Sequence, residues 1–166
     1  AWNRMVKVED GSSTVIAYYS YDGQNHRVRK RLSDGLGGYA YGFDYYYNEN
    51  WQVLEETETI PSGGGHTFTY AQYVWDVRYI DAPVVRFRNT TLNTSGVEDE
   101  TLYYTNDANM NVTALFNPAT GAVVERYTYD GYGKVHFFNG SWGSPTANYD
   151  NQILFGGYRY DPESGL

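Results

Sequence analysis

Three groups of residues in this sequence have types and spacings that could carry chemistry. The first is Asp161-Pro162, within "YRYDPESGL". Aspartyl acid–base chemistry needs two carboxylates sharing a site so that their pKa values separate. The nearest in sequence is Glu163, and there is no second Asp-Pro pair. Asp161 is therefore the single catalytic candidate, and it reads first as a turn residue ahead of a proline. The second group, Asp107, Asn109 and Asn111, alternates as the ligands of calcium loops do. An EF-hand loop also needs a glycine at its sixth position and a glutamate at its twelfth; Val112 and Pro118 stand there, so an Asn-rich hairpin turn is expected. The third group, Trp51, Trp75 and Trp142, offers flat faces for stacking on sugar rings, or else packs within a sheet.

The remaining candidates fall away on spacing. His26, His66 and His136 lie far apart with no metal-ligand pattern, and the serines lack a nucleophile-elbow context. The "SGGG" stretch is followed by neither the lysine nor the helix of a phosphate loop. The absence of cysteine excludes disulfides, zinc–thiolate sites and cysteine nucleophiles. Sequons at Asn89, Asn93, Asn111 and Asn139 matter only where the source glycosylates. No cofactor, metal or enzymatic activity is expected.

The elements that would position these residues are strands. An aromatic residue followed by Asp or Asn recurs as Tyr21-Asp22, Tyr47-Asn48, Trp75-Asp76, Tyr129-Asp130 and Tyr160-Asp161, with Thr105-Asn106 as a degenerate copy. Such self-similarity marks a repeat architecture. Each unit has one grammar: an alternating strand such as "ERYTYD", a turn with Gly23 or Gly131 after the Asp, and a second strand such as "VRKRL" or "KVHFF". Alternation of β-branched and aromatic residues signals half-buried strands, and Asp-Gly or Asn-rich links supply hairpin chemistry. The opening "AWNRMVKV" reads as the second half of such a unit. Residues 59–67 and 89–100 read as insertion loops. The expectation is an all-β array of consecutive antiparallel hairpins over residues 1–166, part of a longer chain.

Composition agrees. Nineteen tyrosines, seven phenylalanines and four tryptophans supply the buried area that a low aliphatic content does not, and tyrosine suits a pleated, half-wet surface. A net charge of −8 and a pI near 4.7 argue against a nucleic-acid partner, which needs a basic field. The one basic cluster is Arg27, Arg29, Lys30 and Arg31; on a regular strand the three arginines would share one solvated face. No apolar run approaches the ~18 residues of a membrane span.

The phrases "YSYDGQNHRVRK", "YYYNENWQVLEE", "QYVWDVRYIDAPVVR", "YYTNDANMNVTALFNPATGAVVERYTYDGYGKV" and "FGGYRYDPESGL" resemble successive units of the Rhs, or YD-repeat, family. The likeness covers nearly the whole chain outside the two loops. "YDPESGL" is similar to the start of the Rhs-associated core, with Pro162 and Gly165 as its marks. The resemblance implies a spiralling antiparallel sheet that forms a shell, enclosing a C-terminal toxin in bacterial members and standing in adhesion receptors in animal teneurins. It also implies that Asp residues of this kind of motif contribute to self-cleavage in some members. A structural, non-catalytic segment of a secreted or cell-surface bacterial protein is expected. Its partners would be neighbouring YD-repeat segments of the same or identical chains, joined head to tail, with an enclosed toxin or glycans as further partners.

Overall fold

In the computed structural model, residues 4–61, 65–91 and 98–165 are described. They form eleven strands: β1 (Lys7–Glu9), β2 (Val15–Tyr21), β3 (Arg27–Ser33), β4 (Tyr39–Tyr47), β5 (Val53–Ile60), β6 (His66–Trp75), β7 (Pro83–Arg88), β8 (Glu100–Asn106), β9 (Val112–Asn117), β10 (Ala122–Tyr129) and β11 (Val135–Asn139). Strand order in the sheet is the order along the chain. The only helical element among the described residues is a 3-10 turn, Phe155–Gly157. The all-β, hairpin-by-hairpin expectation holds. Two compact units divide the chain: residues 1–72 with 89–99, and residues 73–88 with 100–166.

In the first unit the glycine-rich stretch is shorter than its composition suggests. β5 and β6 run into it until Ile60 pairs with His66; residues 62–64 lie outside the described residues, as do 92–97 of the second loop with the Asn93 sequon. One sheet face of this unit is covered by a row that crosses five strands: Tyr19, Lys30, Phe43, Glu58 and Phe68 are cross-strand partners in turn, and each is buried. The charges are embedded among rings, with the Lys30 ammonium 5.6 Å from the centre of Phe43.

The basic cluster does not form a single stripe. Ser20 pairs with Arg29 but Tyr21 pairs with Arg27, so Val28 is an extra residue on β3. This bulge moves Arg27 to the face of Tyr19, over whose ring its guanidinium lies at 4.4 Å. Arg29 and Arg31 keep the other face: Arg29 pairs with Asp44 at 3.0 Å and Arg31 lies over Tyr39 at 5.1 Å.

In the second unit the buried face carries Leu102, Tyr104, Leu115 and Tyr127 together with Arg86 and Glu125. A strap, residues 149–157, is laid over this face. Arg86, 1% exposed, donates to the carbonyls of Tyr149 and Asp150 at 2.5 and 2.9 Å. The Tyr104 hydroxyl donates to Asn151 Oδ1 at 3.0 Å, and the Val112 amide donates to the Leu154 carbonyl at 3.1 Å. Ile153 and Leu154 of the strap are themselves buried. Its passage needs Gly157, since a Cβ there would stand 2.1 Å from the Asp81 carbonyl oxygen.

Candidate functional site

The Tyr-Asp phrase folds into one turn, repeated. After Asp22, Asn48, Asp107 and Asp130 the chain closes a three-residue loop. The first residue's N–H bonds to the carbonyl four residues on, and its own carbonyl accepts from the N–H three residues on. Its side-chain oxygen accepts from the amides two and four residues on, at 2.8–3.1 Å. This is a type I turn followed by a left-handed residue, the three-residue hairpin loop that ends in a bulge. The positive φ falls not on Gly23 or Gly131 but on Asn25, Trp51, Met110 and Gly133. The glycine after Asp is therefore not what the backbone demands; the carboxylate or carboxamide is. Asp10 and Asn139, outside the anchoring pairs read from the sequence, build the same turn.

These hydrogen bonds act on the carboxylates. His26 Nδ1 stands 2.6 Å from Asp22 Oδ2 and, with the turn amides, lowers the Asp22 pKa. The amides of Tyr132 and Lys134 lower that of Asp130. At Asp107 burial works in the opposite direction and is outweighed by Asn111 and the turn amides. Asp76 heads a longer turn, closed on Ala82; Arg78 grips it at 2.6 and 3.0 Å and holds its pKa at about 2.

The tyrosine before the turn is a lock. Tyr47 donates its hydroxyl to the Arg27 carbonyl at 2.9 Å and Tyr129 to the Val112 carbonyl at 2.6 Å. Each acceptor lies five residues beyond the preceding turn's Asp. Tyr21 reaches Met5 at 2.9 Å in the same way. The degenerate unit is displaced by one residue from the Thr105-Asn106 pair: the turn begins at Asp107, so Asn106 holds the tyrosine position. Its amide reaches the Pro83 carbonyl at 3.2 Å, the first residue of the strand after the Asp76 turn. A shorter polar side chain thus makes the same bond.

Asp161 belongs to a second kind of turn. In "NPATG" the Gly121 amide donates to the Asn117 carbonyl at 2.8 Å, and in "DPESG" the Gly165 amide donates to the Asp161 carbonyl at 2.8 Å. The glycines have φ of 68° and 72°. Both stretches read Asx-Pro-x-Ser/Thr-Gly, and the first joins β9 to β10 as a hairpin. Asp161 is 3% exposed, and its backbone is that of a turn-former. Among the described residues no cluster of three or more His, Asp or Glu side chains is arranged to hold a metal.

Each of the three tryptophans has its own surroundings. Trp51 leans on His26 with ring centres 4.1 Å apart and stays 55% exposed. Trp75 occupies the lock position ahead of Asp76, 6.5 Å from Tyr73. Trp142 covers Phe138 at 5.6 Å and takes the Arg126 guanidinium on its face at 5.0 Å. His26 is buried against Tyr47 and Trp51, a structural part that spacing did not reveal.

Two features of the second unit had no sequence signal. Glu100 receives Arg86 at 3.1 Å and Arg88 at 2.9 Å, while Glu125 accepts the hydroxyl of Tyr127. Burial raises the Glu125 pKa against the pull of Tyr127, Arg86 and Arg88, and it pushes the Tyr127 hydroxyl well up. The other feature is an open hollow of about 510 Å³ beside the 130–134 turn, lined by Tyr132, Lys134, Phe155, Tyr158, Arg159 and Tyr160 among others. It presents rings and cations, and among the described residues no carboxylate side chain lines it.

No family model matches the chain. It is 22% identical over 170 residues to the tRNA3(Ser)-specific nuclease WapA of Bacillus spizizenii, which covers 99% of this chain and 6% of that protein. Identity is 23% to the tRNA nuclease WapA of Bacillus subtilis and 24% to the tRNA(Glu)-specific nuclease WapA of Bacillus subtilis subsp. natto, at the same coverage. The chain thus spans about 6% of the length of these relatives. Among solved structures, TcdB2-TccC3 is similar at 9% identity with a TM-score of 0.47, over 94% of this chain and 9% of that one. These likenesses are distant, and the WapA relatives are bacterial.

Proposed function

We propose that this chain is a structural YD-repeat segment of a secreted or cell-surface bacterial protein, building the β-sheet wall of a shell or scaffold without catalysing a reaction itself. The observation that carries this is the recurrence of one device: an Asx-capped turn whose preceding Tyr or Asn locks onto a carbonyl five to seven residues beyond the previous turn's Asp. A repeating lock serves accretion of hairpins, each too small to be stable alone. The segment's candidate acid, Asp161, has the backbone of a turn-former.

The likeness to WapA along the whole chain favours a shell within a large toxin, with the nuclease activity of such a protein carried outside this segment. Electron microscopy of the full-length protein is the test. Closed hollow particles support the shell; extended filaments replace it with a scaffold. Cleavage of tRNA by the purified 166-residue chain, abolished by Asp161→Asn, would overturn the non-catalytic assignment.

A further inference from the structure

The 48–52 turn and the hollow of the second unit have complementary chemistry. At the turn, Trp51 adopts φ = 66°, a conformation that asparagine and glycine adopt with less strain than a bulky side chain. Its ring leans on His26, yet 55% of the residue faces solvent. Exposed Glu49 stands two residues before it. The tip is therefore an aromatic knob with a carboxylate beside it.

The hollow is the inverse. Tyr132 and Tyr158 are 102% and 70% exposed, and Phe155 is 46% exposed, so large rings face water around a concavity of about 510 Å³. Lys134 and Arg159 line it. Arg159 holds Gln152 at 2.8 Å, and the nearby Asp130 carboxylate is occupied with its own turn amides. The recess is aromatic, with Lys134 and Arg159 on its lining and the Asp130 carboxylate, whose pKa Lys134 helps to lower, beside it. Exposed apolar surface rimmed by polar groups marks an interaction site, and buried Trp and Tyr anchors dominate such contacts.

We propose that the occupant of this hollow is the 49–51 tip of a second copy of the chain, with Trp51 seated among Tyr132, Phe155 and Tyr158 and the Glu49 carboxylate facing Lys134. Knob and hole are built from different residues, so the contact joins the tip of one copy to the hollow of another. It rests on the wall-segment assignment and goes beyond it by stating how such segments meet. One tip in one hollow buries less than the ~1,200 Å² of a standard stable interface. The association is accordingly weak for an isolated pair and is strengthened where many segments are linked.

The experiment is sedimentation velocity of the chain over rising concentration, with circular dichroism on each variant. The parent's average mass rises with concentration. Trp51→Gly, which keeps the positive φ unstrained, and Lys134→Glu each lower the association constant about tenfold or more, equivalent to roughly 1.4 kcal/mol. Glu49→Lys does the same alone, but mixing it with Lys134→Glu restores association, because the unaltered tip of the second variant meets the unaltered hollow of the first, and the now basic tip of the first meets the now acidic hollow of the second. A parent that stays monomeric, native-like variants that associate as the parent does, or a mixture no stronger than its components would each overturn the proposal.

Discussion

Replacing Tyr129 by phenylalanine isolates the tyrosine lock from the packing of its ring. The ring meets Phe155 edge-on at 5.5 Å, a contact phenylalanine keeps. What disappears is one hydroxyl bond of 2.6 Å to the Val112 carbonyl. The net worth of such a bond is about 0.5–1.5 kcal/mol, and a stranded acceptor adds to the loss where water cannot replace the donor. Tyr129 is half-buried, so about 1.5 kcal/mol is the expected total. For a chain of 166 residues that lowers the midpoint of thermal unfolding by roughly 3–6 °C. The assay is thermal unfolding followed by near-ultraviolet circular dichroism, with hydrogen exchange at the Val112 amide, which bonds to Leu154 in the strap. The control is Tyr132→Phe, whose parent side chain is fully exposed and should not change the midpoint. If Tyr129→Phe matches the parent in both midpoint and exchange, the lock does not stabilise the hairpins, and the structural reason for tyrosine in the repeat fails.

Other perturbations test separate parts. Asp22, Asp107 and Asp130 have lowered pKa values, and Asp76 is held at about 2. Groups whose folded pKa is depressed give stability that is complete above their unfolded value and is lost as pH falls through the folded one. Stability measured by urea titration should therefore drop between about pH 3.8 and pH 2, and less so when Asp130 is replaced by asparagine, which preserves the turn acceptor. Glu125 is shifted the other way: its contribution is complete below the unfolded value of 4.5 and is lost as pH rises through the folded value. Glu125→Gln should consequently gain stability over the parent as pH rises above 4.5, read from paired urea curves. Gly157→Ala would put a Cβ 2.1 Å from the Asp81 oxygen at φ = 72°, which should lift the strap and speed exchange of the Val112 amide. Gly11→Ala, where nothing lies within 4 Å, should leave that amide unchanged.

The strand plan was legible because its signals are local. Alternation along "ERYTYD" and the recurring aromatic-Asx pairs fix where strands end, and no long-range contact is needed to read them. The turns were legible as positions but not as mechanism. Asp-Gly and Asn-rich links offered either a positive φ or a side-chain hydrogen bond; the side chain makes the bond, and the left-handed residue lies three after the Asx, at Asn25, Trp51, Met110 and Gly133. Only a side chain that caps two amides is common to all four turns. A search for any Asx closing an alternating strand, with or without an aromatic before it, would have found Asp10 and Asn139 as well. It would also have offered Asp107 beside Asn106 as the start of the degenerate repeat's turn.

What sequence could not show are features created by register and by distant segments. The bulge at Val28 turns Arg27 to the opposite face from Arg29, a one-residue event invisible to a period-two reading. Arg86 looks like any strand arginine until residues 149 and 150 cross above it, more than sixty positions away along the chain. The same holds for Asp161. Alone it reads as either acid or turn, and its backbone matches that of Asn117, whose Asx-Pro-x-Ser/Thr-Gly turn joins two paired strands. Both turns place a glycine amide 2.8 Å from the Asx carbonyl, a bond made by the main chain that leaves the acid's backbone role unchanged whatever its protonation. The shared main-chain bond makes Asx-Pro-x-Ser/Thr-Gly a second means of reversing the chain.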